Sequence, residues 1–196
     1  MFIVFEGIDG CGKSTQIWKL ANYISNKSKH NHILLTREPY KTREVREILN
    51  LDEEPEAKSE KLTELFVQDR KEHVKDLIKP ALEKNIIVIS DRYKYSTIAY
   101  QAAQGQDMDK LISLHNEMPV PDFIFIVDTS LDRVFERMEK DEIRAKAHKF
   151  EKSRDFQTKV KENFLKLKTL LPNENIIILD GNKTIQEIFE DIKKYL

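Results

Sequence analysis

Five short stretches of this chain have no polar face: Phe2–Phe5, Ile33–Leu35, Ile86–Ile89, Phe123–Val127 and Ile176–Leu179. A strand that is apolar at every position must be covered on both sides, which is the habit of parallel sheets. Between them, apolar residues recur at helical spacing. Ile17, Leu20 and Ile24 mark a helix over Lys13–Lys27, and Leu62, Leu65, Phe66, Leu77, Ile78 and Leu82 mark a long one over 59–84. Phe156, Val160, Phe164 and Leu167 mark a third, and Ile185, Ile188, Phe189 and Ile192 a closing one. The order βαβααβααβααβα predicts a three-layer α/β/α fold around a five-stranded parallel sheet, with all of 1–196 in one domain.

Composition narrows the function classes. The chain carries 33 Lys+Arg against 34 Asp+Glu, a formal net charge of -1, so bulk charge does not hold it to nucleic acid or to an anionic membrane. One cysteine leaves no disulfide framework and no cysteine-based zinc site. No apolar run approaches the ~18 residues that cross a bilayer, and MFIVFEG has no basic region of a signal peptide. The expectation is a cytoplasmic protein. The segment Glu136–Arg154 is the most charge-dense, and reads either as a solvated helix face or as a lid over something anionic.

Directly after the first apolar run stands Gly7-Ile8-Asp9-Gly10-Cys11-Gly12-Lys13-Ser14, followed by Thr15 inside an amphipathic stretch. This fits GxxxxGK[ST] in the strand-to-helix context that a phosphate-binding loop needs, and gives the fold as that of P-loop NTPases. Glycines let successive N–H groups face inward, and the helix N-terminus adds its positive end. Lys13 supplies a charge to the β- and γ-phosphates of ATP, and the Ser14 hydroxyl is a ligand for Mg²⁺. Asp9 places a carboxylate inside an anion-binding loop, so it must point away from the phosphates, towards a second substrate that offers a hydroxyl. Cys11 reads as a small residue filling a tight loop, or as a thiol made reactive by Lys13 and the helix start.

In doubly wound sheets ligands gather at the carboxyl ends of the strands. Arg37 follows the second run, in TREPY, and Asp91-Arg92 follows the third. Each arginine is a candidate for a phosphate contact or for a salt bridge with a neighbouring carboxylate. Phe66 and Arg70 stand four residues apart on one helix face. They read either as core and surface charge, or as a plate and a donor for a planar heterocycle.

These segments resemble the thymidylate kinases, P-loop nucleoside monophosphate kinases that convert dTMP to dTDP. The resemblance spans nearly the whole chain, through FEGIDGCGKST, TREP, LFVQDRKEH, DRYKYSTIAYQ, PVPDFIFIVD and KFEKSRDFQTKVKENFLKL. It implies that Asp9 accepts from the sugar 3′-hydroxyl, Phe66 stacks on thymine and Arg70 donates to a thymine carbonyl. Arg92 would hold the acceptor phosphate and the transferring group, with Arg37 or Arg46 near the acceptor phosphate. Asp91 would orient the metal's waters, Thr97 and Gln101 would face the base edge, and Tyr100 would crowd the 2′ position. Gly10 fits the branch that lacks a loop arginine and takes its cation from a lid, here about 139–153, with Arg144, Lys146 and Lys149 as candidates. Tyr40 replaces a glycine common in bacterial relatives and would touch sugar or phosphate; Lys149 replaces a lid arginine, and Asp69 a Ser or Ala. ATP as donor, Mg²⁺, a homodimer and no nucleic-acid or membrane partner are implied. A kinase for dUMP or a deoxynucleoside, and a nucleotide-binding regulator without turnover, are the alternatives.

Overall fold

The computed structural model describes residues 1–41, 59–139 and 154–196. Five parallel strands, β1 (Phe2–Glu6), β2 (Ile33–Arg37), β3 (Ile87–Asp91), β4 (Phe123–Asp128) and β5 (Ile176–Asp180), lie in the order β2-β3-β1-β4-β5. Each apolar run extends to a charged residue at its carboxyl end: Glu6, Arg37, Asp91, Asp128 and Asp180. The register sets Arg37 opposite Asp91 and Asp128 opposite Asp180, so the charged residues gather at one end of the sheet. Below it, Ile3, Val4, Phe5, Val88, Ile89, Ile124 and Phe125 are fully buried. The expectation of cover on both faces fails for β2. It is the edge strand, and Ile33, Leu34 and Leu35 are only half-buried.

Around the sheet lie α1 (Lys13–Lys27), α2 (Ser59–His73), α3 (Lys79–Glu83), α4 (Lys94–Ala103), α5 (Met108–Ser113), α6 (Leu131–Glu139), α7 (Arg154–Leu170) and α8 (Ile185–Lys193). The helix read as unbroken over 59–84 is continuous in path but changes pitch. A π-helical turn, Val74–Ile78, joins α2 to α3, and the Lys79 N–H reaches back to the Val74 carbonyl. Pro80 is the reason: it has no N–H to return, and its ring would crowd the carbonyl one α-turn earlier. Among the described residues no helix is long and apolar enough to cross a membrane.

Candidate active site

The loop after β1 is built as its sequence requires. Gly7 has φ +132°, and a Cβ there would stand 2.8 Å from the Val127 carbonyl oxygen, so no side chain fits. Gly12, at φ +108°, starts α1 in a left-handed conformation. Lys13 Nζ donates to the carbonyls of Gly7 at 2.9 Å and Ile8 at 3.0 Å, which lie behind the loop. The other side is braced from a distance. Thr129 Oγ1 donates to the Cys11 carbonyl at 3.0 Å, and Arg137 Nη1 to the carbonyls of Gly10 and Cys11 at 3.3 and 3.2 Å. Cys11 is only 1% exposed, which favours the packing role over a reactive thiol.

Over this loop lies a cavity of about 530 Å³. Gly10, Cys11, Gly12, Lys13, Ser14 and Thr15 line it from below, and Arg37, Asp91, Arg137, Lys183 and Ile185 from the sides. Asp91 is 7% exposed; its Oδ2 accepts from Arg37 Nε at 3.2 Å and Nη2 at 2.9 Å, while its Oδ1 is buried with no hydrogen-bond partner among the described residues. A buried carboxylate oxygen without a donor is costly unless a cation or its water completes it. Ser14 and Asp91 therefore fit a hard, oxygen-ligated ion beside the loop. Arg37 is a salt-bridge partner here and lines this cavity rather than the inner one.

The inner cavity, about 230 Å³, lies between α2 and α4. Phe66 and Arg70 line one wall, Thr97, Tyr100 and Gln101 the other. The spacing of Phe66 and Arg70 does bring both to one face, but Arg70 is no surface charge: it is 2% exposed. Its Nε donates to Glu38 Oε2 at 2.7 Å, its Nη2 lies 2.6 Å from the same oxygen and 3.0 Å from Thr97 Oγ1, and its guanidinium sits 5.5 Å from the Tyr93 ring centre. Glu38, 4% exposed, is held on its other oxygen by His73 Nδ1 at 3.0 Å. Tyr93 and Gln104 also line this cavity, and their Oη and Oε1 atoms are buried without a hydrogen-bond partner among the described residues.

Two side chains line both cavities: Asp9 and Arg92. They form an ion pair at 2.9 Å, which directs the Asp9 carboxylate to the Arg92 guanidinium. Arg92 has φ +75°, a left-handed conformation that costs a non-glycine residue about 1–2 kcal/mol. Two backbone hydrogen bonds hold it: its N–H donates to the Phe5 carbonyl at 2.9 Å, and its carbonyl accepts from Ser90 Oγ at 2.7 Å. The side chain then crosses the Tyr100 ring at 5.2 Å and donates from Nη1 to Ser96 Oγ at 2.7 Å.

Beneath Arg92 lies a residue that sequence reasoning missed. Glu6, the last residue of β1, is fully buried and caps α4 from outside. Its Oε1 accepts from the Tyr93 and Ser96 N–H groups at 2.8 and 3.1 Å, and its Oε2 lies 2.5 Å from Ser96 Oγ. Burial pushes its carboxyl up from 4.5 to about 7, against the opposing pull of Arg92, Ser96, the Tyr93 amide and Lys13. Between these two values the folded protein keeps a proton that the unfolded chain has lost. The stability tied to Glu6 is therefore fully present below pH 4.5 and is lost as pH rises through about 7. Urea denaturation at several pH values should show a decline on the order of 3 kcal/mol that Glu6→Gln removes. Equal slopes in the two proteins would discard this account.

Two other residues have contacts that the sequence does not show. Tyr40 lines neither cavity: its ring stacks on His73 at 4.7 Å, and its N–H and that of Lys41 donate to the Asp69 carboxylate at 2.5 and 2.7 Å. Asp69 is thus the clasp that ties the turn after β2 to α2. Arg137, placed by sequence only within a charge-dense segment, sits on α6 and braces the loop. Arg46, Arg144, Lys146 and Lys149 lie outside the described residues, as does 140–153 of the expected lid.

A parallel sheet with a glycine-rich phosphate loop after its central strand, and a second cavity meeting the first at one aspartate and one arginine, defines a P-loop nucleoside monophosphate kinase. The family model for thymidylate kinase matches residues 5–192. The chain belongs to the thymidylate kinase family. It is 39% identical over 186 residues to the "Probable thymidylate kinase" of Thermococcus kodakarensis, covering 90% of this chain and 88% of that one. It is 36% identical over 201 residues to the thymidylate kinase of Fervidobacterium nodosum, covering 99% and 97%. The crystal structure of thymidylate kinase from Ehrlichia chaffeensis matches with a TM-score of 0.76 at 31% identity, over 99% of this chain and 97% of that one.

Proposed function

We propose that the protein transfers the γ-phosphate of ATP to dTMP, giving dTDP and ADP. The observation that carries this reading is that the loop cavity and the inner cavity meet at Asp9 and Arg92. ATP phosphates sit on the loop amides and Lys13, with Arg137 and Ile185 flanking the rest of the nucleotide. The dTMP base enters the inner cavity, stacks on Phe66 and accepts from Arg70, with Thr97 and Gln101 along its edge. Tyr100, under Arg92, crowds the 2′ position of the sugar, and Asp9 accepts from its 3′-hydroxyl.

Arg92 then faces the acceptor phosphate and the group in transit. A dTMP phosphate oxygen attacks the γ-phosphorus in line, the bond to the β-bridging oxygen breaks, and ADP leaves. The acceptor is already an anion, so no strong base is required, and catalysis rests on positioning and charge stabilisation. Ser14 and Asp91 would hold Mg²⁺, which would supply charge neutralisation to the donor phosphates. Arg144 is the lid cation of this proposal, because a planar fork spans phosphoryl charge better than an ammonium. The working form is a cytoplasmic homodimer.

The test is ADP release with Mg-ATP across nucleoside monophosphates and deoxynucleosides. dTMP should turn over fastest, and Phe66→Ala should raise the KM for dTMP about tenfold or more, the scale of one lost base–aromatic stack, while sparing the KM for ATP. Equal losses for both nucleotides would remove the base from the inner cavity.

A further inference from the structure

We propose that His115, which lines neither cavity, positions the Arg70 guanidinium and so sets how tightly the inner cavity holds its nucleotide. The inference rests on the reading that this cavity receives the base of dTMP. His115 is 1% exposed, in the turn that follows α5. Its Nδ1 lies 2.8 Å from the Leu111 carbonyl oxygen, which can only accept, so Nδ1 carries the proton. Its Nε2 lies 2.7 Å from Arg70 Nη1, which can only donate, so Nε2 presents a lone pair. The two contacts are compatible only with the neutral ring. Burial, and next the Arg70 charge, push the pKa of His115 down to about 3, so the ring stays neutral at any working pH.

The consequence lies in the donor count of Arg70. A guanidinium has five N–H groups in one rigid plane. Nε and one Nη2 hydrogen go to Glu38, the second Nη2 hydrogen to Thr97 Oγ1, and one Nη1 hydrogen to His115. Among the described residues four are placed, which leaves the fifth, on Nη1, to reach a base carbonyl. Because the fork is planar, pinning one Nη1 hydrogen on His115 fixes the direction of the other. Glu38 and Thr97 hold Nε and Nη2, and His115 holds Nη1, so that without His115 the Nη1 corner can tilt.

Two substitutions separate positioning from simple packing. His115→Asn keeps a donor near Nδ1 and loses the acceptor at Nε2; His115→Gln keeps an acceptor near Nε2. We expect His115→Asn to raise the KM for dTMP about five- to tenfold, with kcat and the KM for ATP within about twofold, and His115→Gln to return the KM for dTMP to within about threefold of the parent. A KM for dTMP that is the same in both variants overturns the proposal. Should neither variant fold, ¹⁵N spectra of the unsubstituted protein decide. The His115 ring should show the Nδ1–H tautomer, with an Nε2 resonance that moves on adding dTMP and stays on adding ATP. An Nε2 resonance indifferent to dTMP overturns the proposal equally. Phe66→Ala run alongside separates the two failures. If it leaves the KM for dTMP unchanged, the base is not in this cavity; if it raises that KM while His115→Asn does not, only the positioning role is lost.

Discussion

Arg92→Ala is expected to lower kcat by about three orders of magnitude or more, the range in which a single arginine acts on a phosphoryl transition state, while the Kd for ATP changes little. The asymmetry follows from where the side chain lies. Donor phosphates have the loop amides and Lys13, but charge that develops between the two cavities meets, among the described residues, the pair that lines both, Asp9 and Arg92, of which Arg92 is the cation. The protein also spends backbone energy to put it there. A left-handed arginine persists because the Phe5 carbonyl and Ser90 hydroxyl hold its peptide, and Glu6 orients Ser96, which accepts from Nη1. Arg92→Lys should recover less than tenfold of the lost rate. A single ammonium cannot hold the ion pair to Asp9 and the hydrogen bond to Ser96 together while presenting a face to phosphate. Steady-state kinetics with dTMP and isothermal titration with an ATP analogue give the two readouts. A kcat within about tenfold of the parent would move the transition-state charge to another residue.

The parts of this arrangement that sequence reveals are those set by local rules. All-apolar runs separated by helix-period stretches encode a parallel sheet, and the glycines before Lys13 encode a loop that only a helix N-terminus completes. The expectation that Asp9 turns away from the loop follows from charge alone, and in the structure its carboxylate is paired with Arg92. Phe66 and Arg70 share a face because they are four residues apart. What a one-dimensional pattern lacks is the partner across space. Glu6 reads as the polar end of a strand, yet it caps a helix about ninety positions away. Glu38, His73 and His115 look like scattered polar residues in turns and helices, and only the packing of α2 against α4 and the turn after α5 collects them around one arginine. Tyr40 too has a partner that the sequence does not show. Its place after TREP points at the substrate rim, but the Asp69 carboxylate captures its N–H and lays the ring on His73. The π-turn at Val74–Ile78 was foreseeable from Pro80, since a proline inside a helix always leaves one carbonyl without its donor.

Arg70→Met should cost about 3–5 kcal/mol of folding stability, far more than the loss of a surface arginine, because it strands a buried anion. Methionine keeps an unbranched stem against Tyr93, so the packing loss is small and the charge dominates. In the native arrangement Glu38 Oε2 accepts from both Nε and Nη2 of Arg70, while His73 serves only Oε1. Removing the guanidinium leaves Oε2 bare at 4% exposure and also takes the donor from His115 Nε2 and Thr97 Oγ1. For a chain of 196 residues such a loss lowers Tm by roughly 6–20 °C. Adding Glu38→Gln to Arg70→Met should restore part of it, because a neutral amide is far cheaper to bury than an unpaired carboxylate, whereas Glu38→Gln alone should destabilise by leaving the cation short of its anion. The sign of this double-mutant cycle separates a charge-paired support from independent packing: a coupled pair gives a double variant more stable than the two single losses summed, and independent packing gives the plain sum. Thermal denaturation of the four proteins measures it. A loss under about 1 kcal/mol in Arg70→Met would mean that water reaches Glu38, and that the wall behind the inner cavity is looser than its four placed N–H donors imply.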